Sequence, residues 1–74
     1  MIEIGQVEQL LAVSKYGTLS KAAEALHISQ PALSRAMQKL EEELQVPIFD
    51  REKNRITLNA TGKVAVDYAQ KGLF

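Results

Sequence analysis

The chain has 74 residues, with nine Lys+Arg against nine Asp+Glu, one His and no Cys. That length suits one small domain whose core gives only marginal stability. The absent cysteines exclude disulfides and thiolate metal sites, and the zero net charge excludes a uniformly basic surface. The opening MIEIGQVEQLL holds two Glu and no basic run, so it is neither a signal peptide nor a membrane span. The expectation is a cytoplasmic protein with no membrane partner.

From Glu3 to about Tyr16, Val7, Leu10 and Leu11, with Ile4 and Ala12 beside them, have the spacing of an amphipathic helix. Gly17 ends it. Thr18 then stands where an N-cap belongs, with Ser20 a second candidate. Leu19, Ala22, Ala23 and Leu26 predict a short second helix, and its alanines are small enough for a close helix crossing. His27 and Ile28 form a turn. Ser29 caps a third helix, with Pro31 in its first turn.

Leu33, Ala36, Met37, Leu40 and Leu44 give that third helix one apolar stripe, and it ends near Gln45, before Pro47. The opposite face carries Pro31, Ser34, Arg35 and Gln38, with Gln30 at its start. A surface helix ordinarily favours Lys and Glu for propensity. This one offers groups that pair with base edges: Gln with adenine, Arg with guanine, Ser with either. With the short helix and turn before it, the segment 19–45 has the layout of a helix-turn-helix that presents a helix N-terminus to DNA. Glu41, Glu42 and Glu43 lie at the far end, away from phosphates, although a helix C-terminus disfavours acids.

Residues 48–58 change character. Ile48, Phe49, Ile56, Thr57 and Leu58 favour strands, and the charged DREKNR with the turn former Asn54 lies between them. This is a hairpin with a basic tip, a wing. Positive charge gathers there, at Arg51, Lys53 and Arg55, and arginine suits a narrow minor groove. Arg51 also has a structural alternative, because strand alternation puts it on the same face as Phe49. Asn59 caps a fourth helix through Val64, Tyr68 and Ala69 toward the end, with Gly72 its one stop signal. That helix is apolar around more than one face, which suits a dimer seam through Val64, Tyr68 and Leu73.

His27 is the sole histidine and the glycines are scattered at 5, 17, 62 and 72. No metal site, catalytic triad or phosphate loop is legible, so the expectation is a non-enzyme without cofactor. A protein-interaction module on the same scaffold is the competing reading, favoured by the neutral charge and the apolar last helix.

The string LSKAAEALHISQPALSRAMQKLEEELQVPIFDR resembles the N-terminal winged helix-turn-helix domain of LysR-type transcriptional regulators. AA-x-x-L-H-I-S-Q-P-A-L-S-R, then L-E-x-x-L and P-I-F-x-R, are specific to that bacterial family, and the likeness runs through residues 2–70. The resemblance implies a mainly α fold with a two-stranded wing. It divides the chain into a DNA-binding domain at 1–59 and the start of a linker and dimerisation helix at 60–74. The effector-binding domain that follows in the family is expected to be absent here, so a small-molecule effector belongs to a full-length protein only.

By the same resemblance, Gln30, Pro31, Ser34 and Arg35 approach bases and phosphates in the major groove. Thr18, Ser20 and Ser29 cap helices and touch the DNA backbone, and Arg51 matches the wing arginine. The wing tip runs from Lys53 to Arg55. The implied partner is double-stranded DNA with a pseudo-palindromic site, bound by a homodimer. Two departures stand out. Leu58-Asn59-Ala60-Thr61-Gly62 replaces the usual Leu-Thr-x-Ala-Gly, and Gly5 stands where relatives often have a basic residue.

Overall fold

A computed structural model describes residues 2–52 and 55–73. In chain order the elements are α1 (Ile4–Tyr16), α2 (Leu19–Leu26), α3 (Gln30–Leu44), β1 (Phe49–Glu52), β2 (Arg55–Leu58) and α4 (Ala60–Gln70). The fold is mainly helical, a helix-turn-helix carrying a two-stranded wing, and agrees with the expected class. The wing is antiparallel, in the register Phe49↔Leu58, Asp50↔Thr57, Arg51↔Ile56 and Glu52↔Arg55.

Three side chains set where helices start. Thr18 Oγ1 accepts from the Lys21 N–H at 3.1 Å, Ser29 Oγ from Ala32 N–H at 3.2 Å, and Asn59 Oδ1 from Gly62 N–H at 2.7 Å. Each residue has extended backbone, which aims its oxygen at a helical N–H that has no partner within the helix. Ser20 is therefore not a cap; it is the second residue of α2 and exposed. At the front of α1, Gln6 Oε1 accepts the Glu3 N–H at 2.8 Å, half of a capping box.

Two of the helix ends use left-handed residues that are not glycine. His27 has φ 57 and Gln45 φ 61. After α2, Ile28 N–H reaches Ala23 O at 3.0 Å, the long bond of a Schellman turn. The fourth helix stops at Gln70 rather than running to the end. Gly72, at φ 69, donates to Ala69 O, and Leu73 donates to Tyr68 O at 2.9 Å. Gly72 is thus the C′ residue of a second Schellman turn, a backbone state that costs a glycine nothing.

Leu10, Val13, Leu19, Leu33, Met37, Leu40 and Ile48 are fully buried and form the centre of the core, with Ala22 and Ala23 of α2 buried beside them. Most of the face that the spacing marks on the first helix is covered: Leu10 and Ala12 are buried, and Val7 and Leu11 half-buried. Val13 is buried and Ile4 is 78% exposed, while Ile2, ahead of the helix, packs on the core. That helix touches α2, α3, α4 and β2, so no single stripe describes it.

The wing base is clamped against α4. Asn59 donates its N–H to Ile48 O at 3.0 Å and its amide to Pro47 O at 3.2 Å. Gly62 is buried against the same place: a Cβ built on it lies 2.2 Å from Ile48 O and 2.8 Å from Leu58 Cδ2. Thr61, the departure beside it, is exposed.

Candidate nucleic-acid interface

The third helix turns Leu33, Met37 and Leu40 inward. That leaves Gln30, Pro31, Arg35 and Gln38 exposed and Ser34 half-buried. Helical spacing sets Pro31, Arg35 and Gln38 on the outward face. Gln30, Ser34 and Glu41 lie on its flank. Among the described residues Arg35 forms no ion pair, so its fork of donors is available to a ligand. The capping hydroxyl of Ser29 accepts from Ala32 and keeps its own O–H to donate outward. Thr18 does the same at the start of α2.

Two open grooves lie beside the wing, one against α3 and one against the start of α2. One lies where α3 meets the wing and is lined by Gln38, Glu41, Gln45, Val46, Pro47 and Arg51, among others. The other brings Thr18, Ser20 and Lys21 of the α2 start to Arg55 and Ile56 of β2. The expected backbone contacts Thr18 and Ser20 therefore sit beside Arg55 of β2, with Lys21 as a second cation. Lys21 lines this groove although it is not among the expected contacts. The available signal was a lysine in the first turn of a helix, a position the helix dipole disfavours unless an anion is near. Lys53, the third basic wing residue, lies outside the described residues.

Arg51 is already engaged. Its Nη2 donates to Glu41 Oε1 at 2.7 Å, and its guanidinium stands 5.8 Å from the Phe49 ring centroid. Glu41 Oε2 in turn accepts the Ile48 N–H at 2.7 Å and the Phe49 N–H at 3.2 Å. The Glu41 side chain is only 12% exposed. That burial pushes its pKa up, but the donors of Arg51, Ile48 and Phe49 outweigh it and hold the carboxyl below the ordinary 4.5. The three acids at the end of α3 thus divide. Glu41 holds the wing, Glu43 accepts from Gln6 of α1 at 3.2 Å, and Glu42 is exposed.

The dimer candidates form a less uniform set. Val64 and Tyr68 are 57% and 49% exposed, one turn apart on α4. Leu73, 61% exposed, follows the Schellman turn and is not on the helix. Among the described residues no cluster of His, Cys, Asp and Glu suits a metal ion, and no helix is long and apolar enough to cross a membrane.

Known proteins share this arrangement. A family model described as bacterial regulatory helix-turn-helix protein, lysR family, matches residues 4–63. A probable RuBisCO transcriptional regulator of Emiliania huxleyi is 40% identical over 68 residues, covering 92% of this chain and 22% of that protein. The SDS degradation transcriptional activation protein of a Pseudomonas species is 35% identical over 71 residues, covering 96% and 23%. The chain thus spans under a quarter of these two relatives. Among solved structures, the CbnR DNA-binding domain in complex with DNA superposes with TM-score 0.87 at 36% identity, covering 97% of this chain and 83% of that one. The BenM DNA-binding domain on catB site 1 DNA superposes with TM-score 0.84 at 35% identity, covering 97% and 77%.

Proposed function

Because this chain belongs to the lysR family of bacterial regulatory helix-turn-helix proteins, we propose that α3 enters the major groove of duplex DNA while the wing lies on the backbone or minor groove. The chain is a LysR-type DNA-binding domain serving transcription regulation. The observation that carries the docking is the exposed run Gln30, Pro31, Arg35 and Gln38 with half-buried Ser34, at and after a capped helix N-terminus. In this reading Arg35 and Gln38 read base edges, and Gln30 and Ser34 contact bases or phosphates. Thr18, Ser20 and Ser29 hold the DNA backbone. Arg55 reaches phosphate or minor groove from the wing, and Lys53, two residues earlier in the sequence, is a further DNA contact. The cytoplasm is the compartment that goes with this role.

A neutral module binds DNA modestly, and a twofold pair of modules binds better. The chain acts as a homodimer through α4, with Val64 and Tyr68 at the seam and Leu73 beside it, on a pseudo-palindromic site with half-sites spaced by whole helical turns.

Titration against random and selected duplexes at two salt concentrations tests this. Binding that weakens with salt, together with enrichment of a twofold-symmetric site, is expected. A folded chain that binds no duplex at low salt defeats the reading and favours a protein-interaction module.

A further inference from the structure

The Glu41 carboxylate makes three contacts, all to the first stretch of the wing. It takes the N–H groups of Ile48 and Phe49 with one oxygen and the Arg51 guanidinium with the other. Glu41 sits on the penultimate turn of α3, one turn beyond Gln38. Between the two elements the chain reverses through the left-handed Gln45 and Pro47. The carboxylate therefore ties β1 to the helix that presents Gln30, Ser34, Arg35 and Gln38. The far side of the wing base is tied separately, through Asn59 to Ile48 and Pro47. Loss of the Glu41 side removes the hydrogen-bonded tie between β1 and α3; the wing base is then held by the burial of Ile48 and Phe49 and by Asn59, and the hairpin beyond it can change its angle to α3. Arg55 rides on that hairpin, paired with Glu52 in the strand register.

We infer that Glu41 and Arg51 are a positioning pair for DNA binding: they set the angle of the wing to α3, and Arg51 acts through Glu41 rather than by touching DNA. This rests on the DNA-reading role proposed above. The chemistry argues for it in two ways. The Arg51 guanidinium is committed to a charge-assisted bond at 2.7 Å and placed over the Phe49 ring, so moving it to a phosphate forfeits both. An acidic side chain so near a DNA-facing groove repels phosphate, and its cation partner cancels that field only while the pair is intact.

The pair and the direct-contact alternative give opposite signs for one substitution. Glu41→Gln keeps the shape, removes one negative charge and frees Arg51. If Arg51 contacts DNA, that substitution strengthens binding. If the pair positions the wing, it weakens binding although it removes a repulsive charge. The test is a double-mutant cycle with Glu41→Gln, Arg51→Gln and both together, on the full 74-residue chain. Affinities are read at two salt concentrations, below the lowest melting temperature of the set.

The expected result is an equal loss of about tenfold for each single variant, the same salt slope for both, and no further loss in the double. Rescue of binding by Arg51→Lys, which keeps a cation within reach of Glu41, belongs to the same result only if Glu41→Gln abolishes that rescue. Tighter or unchanged binding by Glu41→Gln overturns the inference, as do losses that simply add. No binding by the unsubstituted chain removes the DNA-reading role itself, and the pair's role with it.

Discussion

Gly62→Ala separates two effects of opposite sign at one position. In a solvent-exposed helix interior, alanine stabilises over glycine by about 1 kcal/mol. Gly62 lies in the first turn of α4, buried, and the added Cβ falls 2.2 Å from Ile48 O and 2.8 Å from Leu58 Cδ2. The leucine methyl can rotate away. The carbonyl cannot move freely, because it accepts the Asn59 N–H at 3.0 Å and belongs to the wing base. Separation to an ordinary contact demands roughly 1 Å of movement between α4 and that base. Overpacking of this kind costs about 1–3 kcal/mol, and a rigid backbone neighbour puts the cost at the upper end. The propensity gain offsets part of it, leaving a net loss of about 1–2 kcal/mol. For a domain of this size that is a fall of roughly 5–15 °C in melting temperature. Gly5→Ala is the internal control. It sits in α1 with nothing within 4 Å of an added Cβ, and gains up to about 1 kcal/mol. Thermal melts of both variants by circular dichroism read the result. A Gly62→Ala protein as stable as Gly5→Ala refutes the close approach of α4 to the wing base.

Four further outcomes follow from the same geometry. Glu41→Ala leaves the N–H groups of Ile48 and Phe49 without their acceptor and lowers stability by about 2–4 kcal/mol, out of roughly 4–11 for the domain; urea melts measure this, and a loss below about 0.5 kcal/mol refutes it. Because the Glu41 pKa is depressed in the fold, its stabilisation is full above the ordinary 4.5 and fades as pH falls through and below that value. The unsubstituted chain therefore loses more stability than Glu41→Gln between about pH 6 and pH 3, and equal losses contradict it. His27→Gly removes the strain of a side chain at φ 57 and raises stability by up to about 1 kcal/mol, while a loss points to a contact made by the imidazole. Val64→Asp together with Tyr68→Asp yields a monomer in sedimentation that keeps half-site affinity but loses avidity on a full site; a variant that still dimerises moves the seam elsewhere.

Much of this fold is legible in the chain because local chemistry and tertiary packing agree. Thr18, Ser29 and Asn59 are cap residues by composition, and all three cap. Leu33, Met37 and Leu40 repeat at helical spacing and are buried. The misreadings have equally physical origins. A stripe rule assumes one buried face, and α1 touches four elements, so Val13 and Ile2 are covered where Ile4 is not. Ser20 has the right chemistry for a cap, but Thr18 is reached first by the extended chain. His27 and Gln45 occupy a backbone region that residue type marks poorly unless the residue is glycine.

The site divides along the same line. The exposed face of α3 follows from periodicity alone. The Glu41–Arg51 pair does not, because ten residues and a chain reversal separate its members. The local clues to it are the dipole misfit of an acid near the end of α3 and the strand alternation that puts Arg51 on the face of Phe49. Lys21 is the counterpart at the other end of the motif, a cation at a helix start that shares a groove with Arg55, a proximity that local sequence does not encode.

In the proposed docking, the exposed face of α3 reads base edges. The most direct measurement compares the unsubstituted chain with Arg35→Ala on a selected site and on random duplexes at one salt concentration. If Arg35 pairs with a base, the loss is about 1–3 kcal/mol on the selected site, little on random sequence, and the preference at one base pair relaxes. An equal loss on every sequence contradicts the claim for Arg35 and makes it a phosphate contact, and no loss on either takes α3's outward face out of the interface.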